Sequence, residues 1–264
     1  MAKQTPEEVW QEVLTGNSRG LQRMRSIMGA IPAGPRCKLC AAPFGRPGRT
    51  FLKLIGASPS PLNRRLCKLC IKHLHEEPGG TEIEVTVFFA DVRGSTALAE
   101  GMAPQEFSQL IARFYGTAAK AVDAYDGIVD KFVGDAAVAL FIPGFAGEEH
   151  AAQAIAAGRD LLERTGHGGG EPWIPIGIGV HTGVSYVGTV GEGDAVDFTA
   201  LGDTVNAASR IAGMAAAGEL LVSEMTAEAA GLDTDGLERR TLELRGREQP
   251  VDVWVASVRQ LATA

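Results

Sequence analysis

The 264-residue sequence has few aromatics, 6% of its residues, and only four cysteines. So few cysteines exclude a disulfide-dense secreted scaffold, and 45% hydrophobic residues exclude a disordered chain. Long apolar runs are missing as well. The longest stretch without an acidic or basic side chain, 172–191, is broken by two prolines and five glycines and does not read as a membrane span. The opening MAKQTPEEVW is polar where a signal peptide needs an apolar run, so a cytoplasmic protein without membrane attachment is expected. No GxxxxGK[ST] loop is present, which argues against a P-loop nucleotide site. Acidic residues are scarce in residues 1–75, three against 13 Lys or Arg, and the balance reverses in 76–264, with 29 acidic against 12 basic. Two modules with different tasks are expected. The basic one either complements the acidic remainder or keeps a surface for an external acidic partner.

Thr5-Pro6-Glu7-Glu8 predicts a helix start, with Thr5 as cap, Pro6 at the first helical position and Glu8 completing a capping box. A second helix follows with Leu21, Met24, Ile27 and Met28 on one side. Pro78-Gly79-Gly80 closes a Gly/Pro-rich cysteine segment. The expected division is 1–32 helices, 33–80 cysteine module, 81–258 main domain and 259–264 tail. From Thr81 the pattern becomes strand and helix in alternation. Ile83, Val85, Val87 and Phe89 have period two and predict a half-buried strand. Residues 103–125 carry an apolar helical face, 128–142 a hairpin turning near Gly134, and 148–165 a second helix. Two further strands are expected in 174–190, a helix near 203–214, a strand at 219–222, and a terminal strand pair between 237 and 257. The predicted class is α+β: a ferredoxin-like βαββαβ core with extra C-terminal strands and helices on one face of a mostly antiparallel sheet.

Charges recur where the main domain is otherwise apolar. Asp91 ends the first strand in VTVFFADVRGST, and DKFVGDAAVALF carries Asp130, Lys131 and Asp135. Buried charges need a partner. A strand-end Asp can simply bond the amides of its own turn, but two carboxylates on adjacent strand ends also suit a pair of divalent ions.

With DFTALGDTVNAASR added to these two segments, residues 81–258 resemble the catalytic domain of the class III adenylate and guanylate cyclases, of the adenylate type. The three segments stand in the family's order. The resemblance implies that Asp91 and Asp135 each ligate two Mg2+ or Mn2+ ions, with the Val92 carbonyl completing one site. It implies that Lys131 and Thr199 read the base of ATP, guanylate cyclases having an acidic residue where Lys131 stands and Asp being commoner at the position of Thr199. It further implies that Asn206 orients the ribose and that Arg210 stabilises charge on the α-phosphate; Arg245 and Arg247, in LRGREQP, fall near the family's Lys that grips the terminal phosphates, and Arg247 is the favoured one. Metals and base contacts would come from different subunits of a head-to-tail homodimer. The implied reaction is that of a phosphorus-oxygen lyase: ATP closes to cyclic AMP with release of pyrophosphate. His181 is a candidate base by residue type alone, and a core histidine is the alternative. The GG[DE]EF signature of the diguanylate cyclases is absent.

Cys37-Lys-Leu-Cys40 and Cys67-Lys-Leu-Cys70 form two CxxC pairs separated by 26 residues. In a reducing compartment this spacing predicts one Zn2+ held by Cys37, Cys40, Cys67 and Cys70, with an iron–sulfur cluster or redox dithiols as alternatives. His73 and His75 could substitute as ligands. The second pair opens a helix, and the arrangement loosely resembles a treble-clef zinc fold. The module would be regulatory or structural. Two other functions are alternatives: by the resemblance, a catalytically idle cyclase fold acting as nucleotide sensor or scaffold, against which the full residue set counts, and a zinc-dependent nucleic-acid-binding protein, against which the scarcity of aromatics counts.

Overall fold

The computed structural model describes residues 5–31, 34–45, 57–60, 65–76, 79–192, 195–244, 246 and 249–257, with the side chains of 73–76 and 195 outside the description. The chain forms two compact units. One comprises Met1–Ile83, Pro143–Gly147 and Tyr186–Ala200, and the other Glu84–Ile142, Glu148–Ser185 and Leu201–Ala264.

In the first unit, α1 (Pro6–Leu14) starts with the capping box its sequence predicts: the Thr5 amide donates to Glu8 Oε2 at 2.8 Å and the Glu8 amide to Thr5 Oγ1 at 3.3 Å. Its Trp10 and Leu14 are buried. Along α2 (Arg19–Gly29) only Leu21 is buried, while Met24 and Ile27 are exposed. The apolar side predicted for this helix is therefore only partly covered. Cys67 leads directly into α3 (Lys68–Glu76).

The described strands build one sheet. They are β1 (Gly80–Val92), β2 (Ile128–Val133), β3 (Ala136–Phe141), β4 (Ile176–Glu192), β5 (Ala195–Leu201), β6 (Leu220–Ser223), β7 (Glu238–Leu242) and β8 (Val251–Ala256). Their order is β2-β3-β1-β4-β6-β8-β7, with β5 paired to β4. The first four strands have the ferredoxin-like arrangement, and β1–β3 and β2–β3 pair antiparallel, whereas β4 and β6 pair parallel. The connections carry α4 (Ser95–Gly101), α5 (Pro104–Ala124), α6 (Pro143–Ala146), α7 (His150–Thr165), α8 (Asp203–Met214) and α9 (Glu224–Ala230). In α5, Ile111, Phe114, Ala118, Ala121 and Val122 are buried at helical spacing, as predicted.

Three features depart from the sequence reading. The alternation in β1 holds only to Val85; from Val85 to Phe88 consecutive residues are buried, because this strand lies inside the sheet with both faces covered. Helices also occupy both faces. Gly158 of α7 fits against Leu220 and Phe88, while α8 packs Ala207 and Ile211 on Leu221, Val253 and Val255 from the other side. Residues 176–192 form one strand instead of two. Its glycines are sites of close approach: a Cβ on Gly179 would lie 2.3 Å from the Ala212 amide nitrogen of α8, and one on Gly188 2.3 Å from the Gly79 carbonyl oxygen.

A polar thread crosses the core of the second unit. His150 Nδ1 meets Thr86 Oγ1 at 2.8 Å, and Thr86 meets Thr182 at 2.8 Å. The Thr182 hydroxyl donates to Thr226 at 3.0 Å, Thr226 meets Ser223 at 2.9 Å, and Ser223 meets His181 Nδ1 at 2.8 Å. All six residues are buried. Mutual hydrogen bonding is what makes such burial tolerable.

Candidate active site and cysteine centre

The end of β1 and the β2–β3 turn bring Asp91 and Asp135 together. Asp91 lies opposite Ala136 in the β1–β3 ladder, and one residue further the Val92 amide donates to the Asp135 carbonyl at 3.2 Å. Gly134 makes the turn with φ +60°, a conformation that favours glycine. Both aspartates are half-buried. Burial pushes the Asp91 carboxyl above its usual range, the Arg93 guanidinium pulls it down, and the neighbouring Asp135 pushes it up again. Two mutually repelling carboxylates in a partly desolvated site are a donor set suited to hard divalent cations, so the residues present fit the implied ions.

Sequence reasoning missed two residues here. Arg93 is ion-paired with Asp91, and its guanidinium also donates to the Gly213 carbonyl at 3.1 Å, so it balances charge beside the carboxylates. Its place next to Asp91 in ADVRGST was the available signal. Tyr115 of α5 donates its hydroxyl to the Gly134 carbonyl and stacks on Phe132 with ring centroids 4.1 Å apart. Burial, then the charge of Asp135, pushes its phenol upward. A cleft of about 590 Å3 opens at this point, lined among others by Ser95, Thr96, Phe107, Tyr115 and Asp135.

Lys131 follows a β-bulge. The β2–β3 register shifts between Val129 and Lys131, and such an extra residue re-aims the side chains that follow it. The Lys131 ammonium lies 3.5 Å from the carboxylate of buried Asp130, and its own side chain is 40% exposed. Thr199 on β5 is buried, its hydroxyl 3.4 Å from the Ala200 carbonyl oxygen. Asn206 and Arg210 lie one turn apart on α8, Asn206 exposed and Arg210 half-buried, beside buried Ala207 and Ile211. The Arg210 guanidinium lies beside Gly246, which stands between Arg245 and Arg247 in sequence. Arg247 itself lies outside the described residues. His181 is bonded within the core to Ser223, the alternative raised for it above.

The four cysteines gather in the first unit, all buried, with their sulfurs within 4.8 Å of one another. Cys37 Sγ lies 3.8 Å from Cys70 Sγ, and Cys40 Sγ 3.7 Å from Cys67 Sγ. A tetrahedron with metal–sulfur bonds of about 2.3 Å has edges of about 3.8 Å, so the cluster has the dimensions of a single-ion site. A multi-iron cluster, which spreads its thiolates over several metals, needs a wider spacing. The Cys67 amide donates to Cys37 Sγ and the Cys70 amide to Cys67 Sγ, at 3.3 and 3.4 Å. Without a cation the sulfurs compete for protons. Hydrogen bonds from Cys40, Cys67 and Cys70 drive the Cys37 thiol strongly down, while the bond to Cys37 drives Cys70 strongly up. The side chains of His73 and His75 are outside the described residues.

Comparison with known proteins identifies the family of residues 80–257. The adenylate and guanylate cyclase catalytic domain matches residues 80–257. Adenylate cyclase of Anabaena cylindrica is 39% identical over 135 residues, covering 49% of this chain and 27% of that protein. Adenylate cyclase 1 of Rhizobium meliloti is 34% identical over 137 residues, covering 50% and 21%. The chain thus spans about a quarter of the length of these two curated relatives. Among solved structures, the guanylyl cyclase Cya2 superposes with a TM-score of 0.60 at 30% identity, over 67% of this chain and 93% of that one. The adenylyl cyclase CyaB from P. aeruginosa gives 0.57 at 28%, over 67% and 95%. The fold is that of the class III nucleotidyl cyclase catalytic domain. By the match over 80–257, the chain belongs to the adenylate and guanylate cyclase family. Class III cyclases work as dimers on nucleotides with two divalent metals. Among the described residues, no helix is long and apolar enough to cross a membrane.

Proposed function

We propose that this chain is an adenylate cyclase, closing ATP to 3′,5′-cyclic AMP and pyrophosphate in a head-to-tail homodimer with two sites. The observation that carries the reading is the pairing of Asp91 with Asp135 at one strand end, held by the Val92–Asp135 backbone bond. Asp91, Asp135 and the Val92 carbonyl would hold two Mg2+ or Mn2+ ions. Bound there, divalent ions lower the pKa of the ribose 3′-hydroxyl and neutralise the leaving phosphates. Lys131 donates to a ring nitrogen of adenine and Thr199 faces its exocyclic amine. Asn206 orients the ribose, and Arg210, with Arg247 in the adjoining loop, answers the charge that builds on the phosphates as the 3′-oxygen attacks the α-phosphorus and pyrophosphate departs. The choice of ATP over GTP rests on Lys131. The 39% and 34% identities to two adenylate cyclases support it, and the fold, shared with a guanylyl cyclase, does not bear on it.

The domain limits at 32, 80 and 258 belong to the same proposal, with 33–80 as a zinc module of regulatory or structural role. Zinc is the ion that fits four thiolates without calling on redox chemistry.

Product formation from ATP and from GTP, each with Mg2+ and with Mn2+ at several protein concentrations, tests the reading. Cyclic AMP from ATP, with specific activity rising on concentration, is expected. Folded, metal-loaded protein that yields no cyclic nucleotide overturns the activity and leaves the sensor or scaffold function; cyclic GMP as the main product overturns the base assignment.

A further inference from the structure

We infer that Trp10, far outside the catalytic segments in sequence, is a positioning residue for the nucleotide-binding strand β5, and that the N-terminal cysteine segment, which shares one compact unit with β5 up to Ala200, serves the reaction by bracing that strand. Trp10 is 5% exposed and stacks on Phe198, with ring centroids 6.2 Å apart and planes at 15°. Such offset pairs are favourable at centroid separations of about 4.5–7 Å. Phe198 immediately precedes Thr199. Side chains alternate along a strand, so Trp10 presses on the side of β5 opposite the base-reading hydroxyl. β5 lies off the main path of the sheet and is paired to β4, which makes a second support consequential.

The N-terminal segment also holds the end of β4. The Gly79 amide donates to Thr189 Oγ1 at 2.8 Å, and the Thr189 amide donates back to the Gly79 carbonyl at 2.8 Å. Gly79 also lies under the indole, where a Cβ would be 3.1 Å from Trp10 Nε1. Trp10 is fixed in turn by its helix. The carbonyls of Val13 and Leu14 close on Gly144 of α6, where a Cβ would lie 2.5 Å from the Val13 oxygen. Arg25 of α2 donates to the Gly144 carbonyl at 2.8 Å and to the Lys38 carbonyl, inside the first CxxC knuckle, at 2.9 Å. A continuous set of contacts thus runs from the cysteine knuckle through Arg25 and α6 to α1, and from Trp10 to β5.

The inference rests on the proposed role of Thr199, and its test separates the two. Full-length Trp10→Ala and Trp10→Phe are compared with the unaltered protein by amide exchange at 195–201 and by the ratio of kcat/KM for ATP to that for GTP. Trp10→Ala should speed exchange at 195–201 and shrink the ATP preference, each by about threefold to tenfold, the range that loss of one aromatic pair converts to. Amides of β1 and β3 should keep their rates, and Trp10→Phe should restore most of both effects. Unchanged exchange at 195–201, or a rise spread equally over the sheet, overturns the brace. Thr199→Ala is run alongside. If it moves the base preference and Trp10→Ala does not, the positioning role is overturned. If neither moves the preference while exchange at 195–201 rises, the brace stands and the base reading falls. Should Trp10→Ala not fold, Phe198→Leu removes the stacking ring with less loss of volume and is read by the same two measurements.

Discussion

The Val92 amide is bonded to the Asp135 carbonyl at 3.2 Å, and this bond ties the end of β1 to the β2–β3 turn. The two candidate metal carboxylates are therefore held together by backbone, not by a long flexible side chain. Asp91→Asn and Asp135→Asn keep the shape of each side chain and should leave the melting temperature within a few degrees. Changing a residue behind a metal ligand typically costs about 10–100-fold; loss of a ligand itself should lower metal-dependent cyclic nucleotide formation by more than about 100-fold. Activity surviving in either variant would show that the paired carboxylates do not hold the catalytic ions.

Lys131→Glu places an acidic residue where the guanylate cyclases carry one. A hydrogen bond to a charged group contributes about 1.5–3 kcal/mol, so kcat/KM for ATP should fall by about 10–150-fold. The value for GTP should fall less or rise. An equal loss for both nucleotides would mean that Lys131 does not read the base.

One zinc per chain is expected from elemental analysis of the purified protein. The site's thiols are buried, and the segment between the two CxxC pairs offers few apolar residues to a core, so metal removal should lower the melting temperature and Cys70→Ser should abolish stoichiometric zinc. Iron in the same stoichiometry would replace the ion but keep the centre. A full set of reactive thiols in freshly purified native protein would remove the centre altogether.

His150 carries the pH prediction. Burial holds its ring below the ordinary 6.5 against the opposing pull of Glu84, whose carboxylate is 3.8 Å from Nε2. The native ring therefore stays neutral where the unfolded chain takes up a proton, so stability is undiminished above about pH 6.5 and declines as pH falls below it. Half-buried His167 is shifted the same way, chiefly by desolvation, and adds to the decline. His150→Asn should flatten the dependence of stability on pH below about 6.5, by no more than about 1.4 kcal/mol per pH unit for one proton. Parallel slopes in the two proteins would show that His150 does not titrate on unfolding.

Much of this fold was legible because the signals were local. The Thr5 capping box, the turn at Gly134, the buried side of α5 and the helix from Asp203 all lie within a few residues of the signal that predicts them. What was missed depends on partners distant in sequence. Residues 174–190 read as two strands, and only α8 and the Gly79 segment show why one continuous strand carries so many glycines there. β1 read as half-buried because alternation in its first residues says nothing of a cover on both faces further along. The site was legible as a set of positions, while the bulge that re-aims Lys131, the ion pair of Arg93 and the bond from Tyr115 to Gly134 were not. Arg93 and Tyr115 answer needs created by Asp91 and Asp135 once the strands have met.

The hydroxyl thread between His150 and His181 bears on strand alignment. In a sheet covered on one face, sliding a strand by one residue exposes its apolar side chains and is heavily penalised. β4 is buried at every position from Ile176 to Gly183, so apolar pattern alone does not distinguish one alignment from the next. Thr182 does. Slipped by one position, β4 would offer Gly183 or His181 to Thr86, and Thr86 and Thr226 would each give up the hydrogen bond that Thr182 makes to them, a loss of about 0.5–1.5 kcal/mol apiece. The few polar atoms in the middle of this sheet act as its alignment marks.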